Sequence, residues 1–174
     1  MLPLLKDAVY HPNNLVRQYA LYALFLFDDT LLYSWIPAAI QASEPTPDLA
    51  YLLSWRRDLF QPRGGDIVHA VLPDLKSTSP LLTAGALQTL YFMKAHYDWK
   101  AHPEIPALLD RAVADEAERL IRTRNAEILQ PFALYLGMWK AETSRKLLRR
   151  LVADGTVREQ AEICLRWISE GDGK

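Results

Sequence analysis

Leu15-Val16-Arg17-Gln18-Tyr19-Ala20-Leu21-Tyr22-Ala23-Leu24-Phe25-Leu26-Phe27 is the stretch on which the fold turns. Its apolar residues recur at three and four, the period of an α-helix. Val16-Arg17, Ala20 and Ala23-Leu24 form a pattern that returns near the end of the chain as Val157-Arg158, Ala161 and Cys164-Leu165. Tyr19 to Phe27 is apolar on every side of the helix, and Asp28-Asp29 follows at once. A membrane span needs about 20 apolar residues, so this stretch reads as a buried helix. Its all-round apolarity is unusual for the end of a helical array, which should keep a polar outer face. Either another helix covers Leu21, Tyr22, Phe25 and Leu26, or this end associates with a second molecule.

Outward from this helix the chain continues in the same style. The 174 residues are half hydrophobic and 24% charged, with a formal net charge of -1. Bases and acids are nearly equal on either side of position 100. This balance resembles neither a basic nucleic-acid footprint nor an acidic tail. Cys164 is the single cysteine. No internal disulfide can form, which suits a reducing compartment. The opening residues lack a basic leader and a long apolar run. Together these predict a cytoplasmic location. No segment alternates with period two between hairpin signals, so the expected fold class is all-α.

Gly, Pro and capping residues divide the helices. A short helix over Leu2–Tyr10 ends at the turn His11-Pro12-Asn13-Asn14. A third helix over Leu31–Ala42 is bent at Pro37, and a fourth runs from the cap Asp48 to Phe60. Gln61-Pro62-Arg63-Gly64-Gly65 is the clearest break and reads as a flexible linker. Asp66 is then expected to cap Ile67–Lys76. Ser79 caps Leu81–His96, with Pro80 at the first helical position. Helices over Pro103–Thr123, Asn125–Lys140, Glu142–Ala153 and Val157–Glu170 complete the chain. Gly155 supplies the C-terminal stop between the last two, and residues 171–174 form a frayed tail.

Aligning alternate helices on their first apolar anchor gives Val16, Leu49, Leu82, Leu129 and Val157. Four residues beyond the anchor a small residue recurs as Ala20, Ala86, Ala133 and Ala161, with Leu53 as the departure. A small residue there lets neighbouring helices approach closely. Arg17 and Arg158 sit where a base can reach turn carbonyls or an acid in a neighbouring unit. The pattern resembles that of the HEAT repeat family, whose units are paired antiparallel helices with Val-Arg and a small residue in the second helix. The match is best at Val16–Leu24 and Val157–Leu165. The resemblance implies a short α-solenoid of about five helix pairs in a single domain spanning residues 1–174, where stacking makes the core.

In such a solenoid the second helices line the concave face. Two, six and nine residues past each anchor fall opposite the core side on a 100° helical wheel. These positions hold Gln18, Tyr22 and Phe25, Tyr51, Trp55 and Asp58, Ala84, Gln88 and Tyr91, then Pro131, Tyr135 and Met138, and finally Glu159, Ile163 and Arg166. A partner-binding row is therefore expected at Tyr22, Tyr51, Trp55, Tyr91 and Tyr135, with Arg56, Arg57 and Asp58 as a polar rim. Aromatics bury much area with few rotamers to freeze. The same aromatics could equally fill the interior of a short, curved array.

Chemical motifs are sparse. Arg63-Gly64-Gly65-Asp66 lacks the strand and spacing of a phosphate loop. His11, His69, His96 and His102 form no pair one helical turn apart, and neither a metal nor a cofactor is expected. The chain also lacks the His-Glu dipeptides of HEAT-like iron hydroxylases. Cys164 lies on a core position and reads as an inert buried thiol. The expected function is a non-catalytic module that binds a protein or peptide. A narrower version is an inhibitor of a single partner, of the toxin-immunity kind. Nucleic acid is the competing partner, because HEAT-like DNA glycosylases use a basic, Trp-bearing groove with a catalytic carboxylate. Trp55 with Asp58, beside Arg56-Arg57, has that outline, and Arg145-Lys146-Leu147-Leu148-Arg149-Arg150 could touch phosphates. The balanced net charge weighs against it, and a solvated helix face is the simpler reading of that run.

Overall fold

The computed structural model describes residues 2–8 and 64–171 and, between them, positions 11, 13, 16, 19, 20, 23 and 61. All regular structure among these residues is helical. Helix α1 spans Leu2–Ala8, α2 spans Gly64–Val71 and runs into a 3-10 turn at Leu72–Lys76, α3 spans Pro80–His96, α4 Glu104–Arg122, α5 Ala126–Trp139, α6 Glu142–Asp154 and α7 Arg158–Gly171. In the opening stretch, Val16, Tyr19, Ala20 and Ala23 are helical, as its periodicity predicts. Tyr19 is exposed and Ala20 buried. Leu21, Tyr22, Phe25 and Leu26, which were to decide between a covered and an associating end, lie outside the described residues. So do the helices expected between residues 31 and 60.

From α3 onward the element ends agree with the sequence reading to within about one residue, the precision with which helix ends are defined at all. The caps explain why. Asn125 Oδ1 accepts the Glu127 amide proton at 2.9 Å and starts α5. Gly155 ends α6 in the left-handed region, φ 88°, where a residue without Cβ is at ease. Ser79 is extended ahead of Pro80 but makes no side-chain cap. Instead Ser77 Oγ accepts the Ser79 amide proton, and Thr83 Oγ1 reaches back to the Asp74 and Ser77 carbonyls.

The expected linker at residues 61–65 is a correction. Gly64 and Gly65 are helical, so Asp66 lies inside α2 and not at its start. Gly64 is buried beneath the stacked rings of Tyr97 and Trp99, whose centroids are 5.6 Å apart. A Cβ at position 64 would sit 3.0 Å from both rings. The glycine is there for close approach, not for looseness. Gln61 completes the joint: its side chain donates to the Asp98 carbonyl and accepts the Asp98 amide proton.

Among the described residues the core draws on every helix from α2 to α7. Helix α3 packs most extensively on α5, and α7 packs on both α5 and α6, which also touch each other. The recurring small residues Ala86, Ala133 and Ala161 are fully buried, as their role in close helix approach requires. Gly137 on α5 is closer still, since a Cβ there would lie 3.1 Å from Cys164 Cβ and 3.3 Å from the Trp167 ring. Arg158 donates through Nε to the Val152 carbonyl at 3.2 Å, the turn contact expected of it.

Candidate partner-binding face

Helices α3 and α5 each leave one strip incompletely covered, and α7 leaves open all but the side of Ala161, Cys164 and Ile168. On α3 it holds Gln88, Tyr91, Phe92 and Ala95. On α5 it holds Leu134 and Met138, four residues apart and so on one side of the helix, with exposed Gln130 one turn earlier. On α7 the open side includes Gln160, Ile163 and Trp167, the last 41% exposed. Two observations set the strips of α5 and α7 side by side, and α3 packs on α5. Gln130 lines one cleft of 510 Å³ with Gln160 and Ile163. Gly137 lets Trp167 lie against α5. Burial, and then the Cys164 thiol of α7, hold the Tyr91 hydroxyl of α3 above its usual range.

Of the aromatic row, Tyr91 is half-buried on α3. Tyr135 is a correction. It is 0% exposed and offers no contact surface. The flank of α5 that carries it turns inward, where Tyr135 Oη donates to Asp110 Oδ1 at 2.8 Å. Lys94 from α3 pairs with the same carboxylate oxygen, and its ammonium stands 5.4 Å from the Tyr135 ring centroid. Burial, Asp110's charge and the hydrogen bond all hold the Tyr135 phenol protonated, well above its usual range. Desolvation lowers the Lys94 ammonium against the opposing pull of Asp110. This cluster joins α3, α4 and α5 from inside. Nothing in the sequence brings residues 94, 110 and 135 together, because none shares a motif or a helix with another. Tyr22, Tyr51, Trp55, Arg56, Arg57 and Asp58 lie outside the described residues. Ala84 and Pro131, also assigned outward, are buried.

Trp167 was the residue the wheel missed. The open arc differs in width and position from one helix to the next, narrow on α3 and α5 and wide on α7. A single anchor-based offset cannot follow it. The signal available in the sequence was the Ile163–Trp167 pair, four apart, beside Glu159 and Arg166.

The remaining chemistry is mostly satisfied internally. In the basic run on α6, Arg145 and Arg149 face Glu142 at 3.6 and 3.8 Å, and Arg150 grips Glu118 with both guanidinium nitrogens. A cation already facing a carboxylate is a poor phosphate ligand. A second cleft, of 480 Å³, lies between the 3-10 turn and α4. Its charges are mixed, Lys76 and Arg111 against Asp115 and Glu116. Arg119 clamps that joint by donating to the Leu75 carbonyl and pairing with Glu116. Cys164 is buried, and burial raises its thiol despite a contact from the Gln160 amide. Among the described residues no three His, Cys, Asp or Glu side chains gather as metal ligands do, and no helix is long and apolar enough to cross a membrane. Comparison with known proteins finds no family model, no curated protein and no solved structure that matches this chain.

Proposed function

We propose that this chain is a non-catalytic, HEAT-like helical array that binds a protein or peptide segment on the face formed by α3, α5 and α7. The observation that carries this reading is the exposed Trp167. It is backed by Gly137 and continued by Leu134, Met138, Ile163 and Tyr91. A tryptophan held in this way gives up little rotamer freedom on binding and buries a large area. The solenoid part of the reading is supported by the succession α3–α5–α7, by α6 packed on two of them, and by alanines at the recurring contact position. A single-partner inhibitor of the immunity kind is the narrower form, motivated by small size and few chemical groups. The buried lone thiol suits a reducing compartment such as the cytoplasm.

A photo-cross-linking amino acid at position 138 tests the face, with one at exposed Lys146 on α6 as the comparison. In cells that make the chain, position 138 should capture a discrete protein, Trp167→Ala should abolish the capture, and position 146 should capture none. Equal capture at both positions, or capture indifferent to Trp167→Ala, would contradict the assignment.

A further inference from the structure

The cleft between the 3-10 turn and α4 carries charges of both signs that the chain leaves unused. Leu108, Arg111, Ala112 and Asp115 stand at i, i+3, i+4 and i+7 and so share one face of α4. They line the 480 Å³ cleft from one side, and Leu72, Leu75 and Lys76 line it from the other. That volume falls within the range of about 300–1,000 Å³ usual for small-molecule sites, which are mostly apolar with a few placed polar groups. Lys76, Arg111 and Asp115 are exposed, and none of them pairs with an opposite charge among the described residues. Glu116, the remaining carboxylate of the cleft, faces Arg119 instead. Arg111 and Asp115 are one turn apart and still do not pair; a base ahead of an acid is the poorer order for such a pair on a helix. Over its apolar floor the cleft thus presents two cations and one anion to whatever enters it.

We infer that this cleft binds a free α-amino acid with an apolar side chain. The ligand carboxylate lies on the Arg111 guanidinium, whose planar fork can hold both oxygens, with Lys76 on the facing wall. The ligand ammonium turns to Asp115, and the side chain lies on Leu72, Leu108 and Ala112. A zwitterion fits where a single charge does not. A simple anion would stand beside Asp115, and a simple cation would stand beside Arg111 and Lys76. An amino acid carries both charges on one carbon, which suits two side chains whose Cβ atoms are about 5–6 Å apart on the helix. This site is separate from the face of α3, α5 and α7 and does not depend on it.

NMR titration of the whole chain, labelled with nitrogen-15, tests this with L-leucine and L-phenylalanine as probes. Both should move the amide signals of Leu72, Leu75, Lys76 and residues 108–115, and leave those around Trp167 in place. Glycine, which has no side chain to bury, should bind at least tenfold more weakly than leucine. N-acetyl-leucine lacks the ammonium and leucinamide lacks the carboxylate, so each should lose about tenfold, the value of one charge-assisted contact at an exposed site. Arg111→Gln should cost leucine about tenfold without weakening leucinamide, and Asp115→Asn should cost leucine as much without weakening N-acetyl-leucine. Both positions are exposed, so neither change threatens the fold. Arg122→Gln, a base outside the cleft, should change nothing. The inference is overturned if neither amino acid moves these signals at ~20 mM, a concentration that detects even millimolar affinity. It is overturned equally if the two derivatives bind as tightly as leucine, or if both charge variants leave leucine unaffected. Each of these outcomes leaves the proposal for the face of Trp167 untouched.

Discussion

Replacing Tyr135 by Phe removes one oxygen atom and nothing else from the centre of the molecule. The hydroxyl donates to a carboxylate, and a hydrogen bond to a charged group contributes about 1.5–3 kcal/mol. Asp110 keeps Lys94 when the hydroxyl is gone, and its side chain is 19% exposed, so water can replace part of the loss. The lower part of that range, about 1.5–2 kcal/mol, is therefore expected. Lys94→Met is the harsher change. It leaves Asp110 charged and mostly enclosed, where breaking a fully buried pair costs about 3–5 kcal/mol. With 11% and 19% exposure of the two side chains, about 2–3 kcal/mol is the fitting value. Because both partners use the same carboxylate oxygen, the double variant should cost less than the sum of the two. Urea unfolding measures all three through the midpoint at constant slope. The reasoning fails if Tyr135→Phe costs under about 0.5 kcal/mol, the scale of an ordinary surface change. It fails more instructively if Tyr135→Phe leaves stability alone but weakens peptide binding, for then Tyr135 belongs to the face after all.

Two further outcomes follow from smaller features. Gly64→Ala should destabilise by about 1–3 kcal/mol in urea, because its Cβ meets two stacked rings that cannot both withdraw. Gly65→Ala is the control: its Cβ comes no nearer than 4.0 Å to Ile105, so it should be neutral or mildly stabilising. Asp74 has a buried carboxylate oxygen without a hydrogen bond, and burial raises its pKa. The folded chain therefore holds that proton more tightly than the unfolded chain, and ionisation of Asp74 lowers stability as pH climbs through its raised value. Asp74→Asn should stabilise at pH 7, by less than about 1 kcal/mol since the residue is only partly buried. The gain should vanish below about pH 4, where the wild-type acid is neutral too; thermal melts that show the same difference at both pH values would contradict this.

What the sequence made legible was whatever depends on near neighbours along the chain. The spans of α3 to α7 follow from helical period and from punctuation such as Gly155 and Asn125. Ala86, Ala133 and Ala161 could be assigned to helix contacts because they recur at one offset. What depends on the third dimension stayed hidden. Tyr135 and Tyr91 look alike on a wheel, and only the flank occupied by Asp110 sends one of them inward. Gly64 has the local signature of a linker, and only the arrival of Tyr97 and Trp99 from more than thirty residues away makes it a contact. The basic run on α6 reads as a solvated face, and only the fold brings Glu118, a residue of α4, against its Arg150.

The joint at Gly64 also bears on where this chain can change its length. Connections between helices ordinarily absorb extra residues at little cost, since they run over the surface and make few contacts. The connection from α3 to α4 is of a different kind. Tyr97, Asp98 and Trp99 are all engaged with residues at 61 and 64, through a ring stack over a glycine and a two-way hydrogen bond. One added residue would rotate or displace all three partners at once. Variants of this chain should therefore keep the register from 97 to 99 fixed, and a tag or domain inserted there should disrupt the packing of α2 in a way that an ordinary surface loop would not.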